Sequence, residues 1–270
     1  MPFPIRQPAV AGTFYPADPK ALRDQIASCL KPTSTKITAK GIVVPHAGYI
    51  YSGSVAGQVY SQINIPDRLI ILSPNHTGLG VPFSINNRGA WRLPMGNAQI
   101  DEKLADRLMK ECPLLEVDTE AQMHEHSLEV QIPFLQFLKK DFRFVPITLG
   151  HLSLKQCEEL GEALAQVIVQ EKEPILIIAS SDMNHYENQT ITLEKDQWAI
   201  DKILTQDPKG LFDTVHSKKI SMCGIIPTTV MLATCNKLKA KRTLLVDHKT
   251  SGDVSGDFEK VVGYAGLIIE

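Results

Sequence analysis

The sequence predicts an α/β fold, with a central mixed and mostly buried sheet flanked by helices. Short continuous apolar runs without polar alternation are typical of strands that are covered on both faces. Longer segments with apolar residues at helical spacing separate these runs. No repeat, low-complexity stretch or interdomain linker divides the 270 residues. We therefore predict one domain over residues 1–270.

The predicted strands are short runs rich in Ile, Leu and Val. The segment "PILIIAS" has the strongest strand pattern of the chain. We expect the C-terminal run "YAGLII" to complete the central sheet. The predicted strands cover residues 41–44, 68–72, 142–150, 174–180, 242–246 and 261–269.

The predicted helices are bounded by capping residues. Asp18 is the expected N-cap of the first helix, with Pro19 at its first position. Ser52 and Ser127 are the expected N-caps of two later helices. Pro133 predicts a kink or break in the second of these. The predicted helices cover residues 17–31, 52–63, 101–112, 127–140, 154–171, 194–206 and 227–241.

Composition excludes several classes of function. The formal net charge of −2 indicates no general attraction to nucleic acid or anionic membranes. No apolar run approaches the roughly 20 residues that span a bilayer, and the N-terminus lacks the apolar core of a signal peptide. Five cysteines without paired spacing indicate free thiols in a reducing compartment. We expect a cytoplasmic protein with no nucleic-acid or membrane partner.

Polar residues follow several of the predicted strands. His46 follows "GIVV", His76 follows "RLIIL", and Asp182 and His185 follow "PILIIAS". Ligand sites in open α/β sheets lie beyond the carboxyl ends of strands. A single histidine here could simply bond to loop backbone, and Asp182 could cap a short helix. Three histidines and an acid, from a chain with eight histidines, favour a shared site.

Two further segments carry candidate site residues. In "MHEHSLEV", His124 and His126 lie on opposite sides of an extended stretch, and we favour His126 as the one facing the site. Cys223 lies in a Gly-flanked loop before a helix, where a thiol is biased toward thiolate. The other four cysteines, in or at the end of helical patterns, are typical of small buried side chains.

These residues could form a metal site. Two neutral imidazoles and one anionic ligand are the minimal set that leaves coordination positions open for substrate. His46, His76 and Cys223 satisfy this requirement, and Asp182 is a further ligand or a hydrogen-bonding partner of one. His185, beside an acid at a strand end, is a candidate general acid or base. No compact motif contains these residues, so their spacing alone is weak evidence.

Seven blocks of the sequence resemble the Memo family, called AmmeMemoRadiSam system protein B in bacteria and archaea. The blocks run in order from residue 6 to about residue 264 and so cover nearly the whole chain. They are "RQPAVAGTFYP", "PHAGYIYSG", "SPNHTG", "EHSLEVQIPFLQ", "SSDMNHY", "CGIIP" and "TSGDVSGD".

The resemblance implies the fold of class III extradiol dioxygenases, which hold Fe(II) with two histidines and a glutamate. It places the two histidine ligands on His46 and His76, and puts Cys223 where those enzymes have a carboxylate. It also places Asp182 beside the metal and matches His185 to their acid/base histidine. Iron is the implied cofactor, with copper or zinc as alternatives because a thiolate is a soft ligand.

The resemblance also implies partner proteins. Members of the family are associated in microbes with a radical-SAM protein and an AMMECR-type protein, and in animals with phosphotyrosine-dependent signalling. Fold and family do not determine the reaction, because function belongs to the site. The substrate and the question of catalysis itself stay open.

Three functions compete at the level of sequence. The first is a metal-dependent, oxidoreductase-like enzyme, with His126 and Tyr49 as candidate substrate-binding residues. The second is a metal-free cysteine enzyme, with Cys223 as nucleophile, His185 or His76 as base and Asp182 as the orienting acid. The third is a module that binds a protein partner, such as a phosphopeptide. Its candidate residues are Arg6, Tyr15, Tyr49, Tyr51 and Arg92.

Overall fold

The computed structural model describes residues 5–270 and contains one large mixed sheet. The prediction of an α/β fold with a central sheet is confirmed. The strands are β1 (Ile5–Arg6), β2 (Gly41–Val44), β3 (Arg68–Pro74), β4 (Phe83–Ile85), β5 (Ala90–Leu93), β6 (Gly96–Ile100), β7 (Glu116–Val117), β8 (Arg143–Leu149), β9 (Ile175–Ser180), β10 (His185–Glu187), β11 (Thr243–Thr250) and β12 (Val261–Ile269).

Four parallel strands form the centre of the sheet in the order β8-β3-β9-β2. Strand β12 pairs antiparallel with β2, and β11 pairs antiparallel with β12. The C-terminal strand therefore extends the central sheet, as the sequence predicts. At the other side, β6 runs parallel to β8 and is followed by β5 and β1.

Helices cover both faces of the sheet. They are α1 (Pro19–Cys29), α2 (Tyr49–Gln62), α3 (Glu102–Glu111), α4 (Glu120–Met123), α5 (His126–Glu129), α6 (Ile132–Leu138), α7 (Leu154–Gln170), α8 (Gln189–Leu204), α9 (Pro208–Ser217), α10 (Ile225–Lys237) and α11 (Gly252–Ser255). Asp18 caps α1 by accepting from the N–H of Ala21, with Pro19 at the first helical position, as predicted.

The central strands are buried on both faces because successive side chains point to opposite sides of a sheet. Ile70 and Leu72 of β3 pack in a core with α7 and α10, whereas Leu69 and Ile71 pack in a second core with α1 and α2. This explains why the strands appear in the sequence as unbroken apolar runs rather than as alternating patterns.

Two of the predicted helix caps are wrong. Helix α2 begins at Tyr49 rather than after Ser52, because the N–H of Tyr49 already bonds to the carbonyl of Phe14. Ser52 instead donates to the carbonyl of Ala47. Ser127 is not an N-cap either, since α5 begins at His126 and is capped by the side chain of the preceding acid.

The predicted helix over 127–140 is divided, in agreement with the break expected at Pro133. Helix α5 ends at Glu129 and α6 begins at Ile132, with Pro133 in its first turn. A proline is tolerated there because the first N–H groups of a helix lack intrahelical partners.

Several elements were missed or misplaced by the sequence patterns. Helix α8 begins at Gln189, five residues before the predicted 194, because the side chain of Asn188 caps it there. Helix α9, capped by Asp207, and the short strands β4 to β7 were not predicted. Their segments are short or polar, so they carry a weak periodic signal.

The topology brings the carboxyl ends of β2, β3 and β9 to one edge of the sheet, since the three strands are parallel neighbours. His46, His76 and Asp182 follow these ends directly. No helix within residues 5–270 is both long and apolar enough to cross a bilayer.

Candidate metal centre

His46 lies just beyond the end of β2, with its imidazole buried and held in one tautomer. Its Nδ1 is 3.0 Å from the hydroxyl of Ser180, the last residue of β9. That hydroxyl donates to the carbonyl of Ser127 at 2.6 Å and accepts from the amide of Gln131 at 2.9 Å. The serine proton is thus already used, so His46 donates from Nδ1 and its Nε2 carries a free lone pair.

His76 follows β3 and is oriented by the buried carboxylate of Glu125. The backbone N–H of His76 donates to Oε2 of Glu125 at 2.6 Å, and the ring atom Nδ1 lies 2.9 Å from Oε1 of the same carboxylate. A carboxylate accepts only, so Nδ1 carries the proton and Nε2 is left available. Burial alone would raise the pKa of Glu125, but hydrogen bonds from His76 and Ser127 lower it to about 2.

Cys223 reaches the same place from the loop that precedes α10. Its Sγ is 3.1 Å from Nε2 of His46 and accepts from the N–H of Asp182 at 3.3 Å. The carboxylate of Asp182 in turn accepts from the backbone N–H of His46 at 2.7 Å. Gly224 permits this approach, because a Cβ there would lie 2.3 Å from Cβ of Ser181.

The three predicted metal ligands therefore meet. Ligand atoms of His46, His76 and Cys223 all lie within 4.8 Å of one another. Each imidazole binds an acceptor through Nδ1, an arrangement typical of histidines that bind metals. Three donors of this kind fit a site that keeps positions open for substrate.

A second group of possible ligands, His76, Glu125 and His126, overlaps the first. The Oε1 atom of Glu125 accepts from the N–H and the hydroxyl of Ser127 at 2.9 and 2.7 Å, in addition to facing His76. These contacts occupy the carboxylate. Glu125 therefore orients His76 rather than offering a separate ligand set.

Burial controls the charges of the centre. It lowers the pKa of His46 well below the usual value, and the neighbouring histidines His76, His126 and His185 lower it further. A neutral imidazole, the form that binds metals, results. Burial raises the pKa of Asp182 to about 7.

The pKa of Cys223 is raised well above its usual value, first by burial and then by the charge of Asp182. The predicted bias of this thiol toward thiolate is therefore wrong for the metal-free protein. Desolvation of the charged sulfur outweighs the effect of the adjacent helix.

His126 also faces the centre, whereas His124 is exposed. The ring centroid of His126 lies 4.6 Å from that of His76 and 5.4 Å from that of His46, and Phe14 packs on its other side at 4.7 Å. Burial lowers the pKa of His126 to about 4. At neutral pH it is a neutral imidazole next to the candidate ligands.

His185 approaches the centre from β10 and is held by Ser221. Its N–H donates to the hydroxyl of Ser221 at 2.7 Å, and its Nδ1 lies 2.8 Å from the carbonyl of the same residue. Nδ1 must donate to that carbonyl, so Nε2 is free to exchange a proton. Burial lowers the pKa of His185 and favours the neutral base.

Tyr49, a candidate substrate-binding residue, lies deeper. Its ring is buried between Tyr15 and Phe134, and its hydroxyl donates to the carbonyl of Val130 at 2.6 Å. Tyr15 donates to the buried carboxylate of Glu129.

Arg6, a candidate for phosphopeptide binding, also bonds to Glu129. Of the other residues considered for a phosphopeptide, Tyr51 and Arg92 are exposed. The five candidates therefore do not form a basic, aromatic-lined pocket.

Sequence patterns missed three residues that hold the site. Glu125 lies between two histidines in "HEHS", and this proximity was the available signal. Ser180 ends the strongest strand pattern, immediately before the candidate acid. Ser221 gave no signal, because its contact with His185 joins residues 36 positions apart.

Such a sheet, with two oriented imidazoles and a cysteine at the carboxyl ends of its strands, defines a candidate metal-binding α/β protein. Residues 6–268 match the family model described as "Memo-like protein". The chain belongs to the Memo family.

Archaeal relatives described as MEMO1 family proteins are similar over nearly the full length. The protein of Methanopyrus kandleri is 39% identical, covering 97% of this chain and 98% of the relative. The protein of Sulfolobus acidocaldarius is 43% identical, with coverages of 97% and 98%. The protein of Methanosarcina mazei is 41% identical, with coverages of 98% and 99%.

The fold is also similar to a solved structure of an uncharacterised protein of Escherichia coli K12. The TM-score is 0.57 with 13% sequence identity, covering 84% of this chain and 98% of the other. At this identity the similarity concerns the fold alone.

Proposed function

We propose that this protein binds one redox-active metal ion through His46, His76 and Cys223 and acts as an oxidoreductase. Iron is the proposed metal, with copper or zinc as alternatives. The observation that carries the proposal is the convergence of the three ligand atoms within 4.8 Å, from three segments far apart in the chain. We also propose that this metal site is related to that of the ring-cleaving class III extradiol dioxygenases.

The donor set supports this choice of metals. Two imidazoles with one anionic ligand suit non-haem iron, and a thiolate in place of a carboxylate also suits copper and zinc. A bound metal would act as a Lewis acid or as an electron carrier for a substrate at its open positions. The tautomers of both histidines are already set by Ser180 and Glu125, so little reorganisation accompanies binding.

The neighbouring groups have separate proposed roles. His185 moves a proton at its Nε2, since its Nδ1 is committed to the carbonyl of Ser221. His126 binds substrate, because it is partly exposed and stands next to both ligand histidines. Asp182 holds the backbone of His46 and the sulfur of Cys223, and its raised pKa suits it to share a proton with substrate.

A metal-free cysteine enzyme is less well supported. A nucleophilic cysteine needs a lowered pKa, whereas burial raises the pKa of Cys223. The Nε2 atom of His46, 3.1 Å from the sulfur of Cys223, could accept the thiol proton. The histidine at hydrogen-bonding distance from the sulfur is thus His46, not His185 or His76, the two bases that the sequence predicts for this mechanism.

Cobalt(II) substitution tests the proposal. We expect the wild-type protein to bind about one Co(II) per chain and to show a thiolate-to-cobalt charge-transfer band. Cys223→Ser should lose the band, and His46→Ala should lose the binding. Cys157→Ala, at a buried cysteine remote from the centre, should keep both. A full band in Cys223→Ser, or unchanged binding in His46→Ala, would contradict the proposal.

A further inference from the structure

Asn184 is a fully buried asparagine between Asp182 and His185, the two candidate residues that follow β9. Its backbone is held on both sides. The N–H donates to Oδ1 of Asp196 at 2.8 Å, and the carbonyl accepts from the N–H of Gly263 at 2.9 Å. A buried amide costs free energy unless its polar groups are hydrogen-bonded. The partners of the side chain therefore indicate what this residue does.

The side-chain amide of Asn184 has one orientation. Its Nδ2 lies 2.8 Å from Oε2 of Glu187, and a carboxylate only accepts, so this end of the amide carries the hydrogens. Lys195 holds that carboxylate at 2.6 Å. The Oδ1 atom therefore faces Ser221, and it accepts from the backbone N–H and from the hydroxyl of Ser221, each at 3.1 Å.

Ser221 connects Asn184 to His185. Because Ser221 is exposed, burial does not fix its position, whereas two bonds to a buried amide do. Its hydroxyl accepts from the N–H of His185, and its carbonyl lies 2.8 Å from Nδ1 of the same histidine. The position of that carbonyl sets the tautomer of His185, with the proton on Nδ1 and a free lone pair on Nε2.

The same contact holds the loop that carries Cys223. Ser221 precedes Cys223 by two positions, and the N–H of Asp182 donates to the sulfur at 3.3 Å. The segment after β9 and the loop before α10 are thus joined twice, by Asn184 with Ser221 and by Asp182 with Cys223. The imidazole that faces the centre and the sulfur depend on the same pair of segments.

We infer that Asn184 is a positioning residue of the metal centre, which fixes His185 and Cys223 relative to each other by holding Ser221. The inference rests on the proposed function, because that function makes His185 the proton-transfer residue and Cys223 a metal ligand. Asn184 acts through Ser221 and is not itself a catalytic residue.

Imidazole ¹⁵N chemical shifts of the metal-free protein test the hold on His185, at a pH where this histidine is neutral. Protonated and unprotonated ring nitrogens have well separated shifts, and a His185→Gln spectrum identifies the signals of His185. The wild type should show a protonated Nδ1 and an unprotonated Nε2. In Asn184→Ala the two shifts should move toward each other, because the second tautomer becomes populated.

The variant Asn184→Asp separates positioning from stability. Its carboxylate keeps the oxygen that accepts from Ser221, but it loses the donor to Glu187 and places two carboxylates in contact. We expect the free energy of unfolding in urea to fall in both Asn184→Asp and Asn184→Ala. The single tautomer of His185 should be lost only in Asn184→Ala.

Co(II) binding tests the hold on Cys223. We expect the affinity of Asn184→Ala for Co(II) to be about tenfold below that of the wild type, an effect typical of residues that orient a metal ligand. Asn86→Ala is the matched control, since Asn86 is also buried and its side chain accepts from the N–H of Arg88 instead. It should keep the wild-type affinity and the wild-type imidazole shifts.

Hydrogen exchange of the wild-type protein supplies a check that needs no variant, and it decides the question if Asn184→Ala does not fold. The N–H of Ser221 belongs to an exposed residue but bonds to a buried oxygen. We expect it to exchange about tenfold or more slowly than the same N–H in an unfolded peptide. Exchange at the unprotected rate would overturn the inference.

The remaining outcomes distinguish the inference from the proposed function. If the wild type binds Co(II) and Asn184→Ala keeps the wild-type imidazole shifts or the wild-type affinity, the positioning role is overturned and the metal centre stands. If Asn184→Asp loses the tautomer as Asn184→Ala does, the amide serves the fold and the inference is again overturned. If the wild type binds no Co(II), the metal centre fails and the inference fails with it, whatever the imidazole shifts.

Discussion

The sulfur of Cys223 lies 3.1 Å from Nε2 of His46, although 177 positions separate the two residues in the chain. His46 projects from the end of β2, and Cys223 is held by the turn into α10, which packs on one face of the sheet. Asp182 joins them by accepting from the N–H of His46 and donating its own N–H to the sulfur. This contact joins the segments that carry His46, Asp182 and Cys223 in one site.

The carboxylate of Glu125 should tune metal affinity without binding the metal. Replacing it in Glu125→Gln removes the charge that orients His76 and puts an amide N–H group against the hydrogen-bond donors of Ser127. We expect metal affinity to fall by about tenfold to a hundredfold. Competition with a chromogenic chelator measures the change. Glu120→Gln, at an exposed acid of α4, is the control, and equal affinities in both variants would contradict the orienting role.

Glu129 should matter for folding rather than for metal binding. Its buried carboxylate accepts from Arg6 at 2.5 Å, from Tyr15 at 2.6 Å and from the N–H of Ala9 at 2.8 Å, and so holds the N-terminal segment. Breaking a buried ion pair on one side costs about 3–5 kcal/mol. We expect Glu129→Gln to lower the free energy of unfolding in urea by about 3 kcal/mol.

A double variant tests whether Arg6 and Glu129 stabilise the protein as a pair. Arg6→Met combined with Glu129→Gln should lose less than the sum of the two single variants, because the pair is then removed together. Additive losses would show that Arg6 and Glu129 act independently. Metal content of the folded variants should remain that of the wild type.

Metal uptake should release a proton. Since burial keeps Cys223 as a neutral thiol in the metal-free protein and only the thiolate binds metal, binding must displace the thiol proton. We expect release of about one proton per chain, and an affinity that rises with pH below the pKa of the thiol. Titration calorimetry in two buffers of different ionisation enthalpy counts the protons. A buffer-independent enthalpy would contradict thiolate ligation.

Much of the site could be predicted from local sequence patterns and from the rule that ligand sites in α/β sheets lie beyond the carboxyl ends of the strands. His46, His76 and Asp182 directly follow apolar runs, and parallel neighbouring strands bring their ends together. The fold was predictable for the same reason, since its central strands are unbroken apolar segments. These signals are contained within single segments.

The residues that were missed depend on contacts between distant segments. Ser52 is a residue type that often caps helices. The backbone N–H of Tyr49, however, bonds to the carbonyl of Phe14, and helix α2 begins at Tyr49. Glu125 orients His76 across 49 positions, a relation that no local pattern contains. The protonation state of Cys223 likewise depends on burial, which a loop sequence does not reveal.

Elemental analysis of protein purified without oxygen is a direct test of metal binding, with wild type and Cys223→Ala measured side by side. We expect about one iron or copper ion per wild-type chain and a large loss in the variant, with both proteins folded. If both proteins are metal-free and stay so after reconstitution, or if the variant keeps the full metal content, the assignment of His46, His76 and Cys223 as a metal site is contradicted.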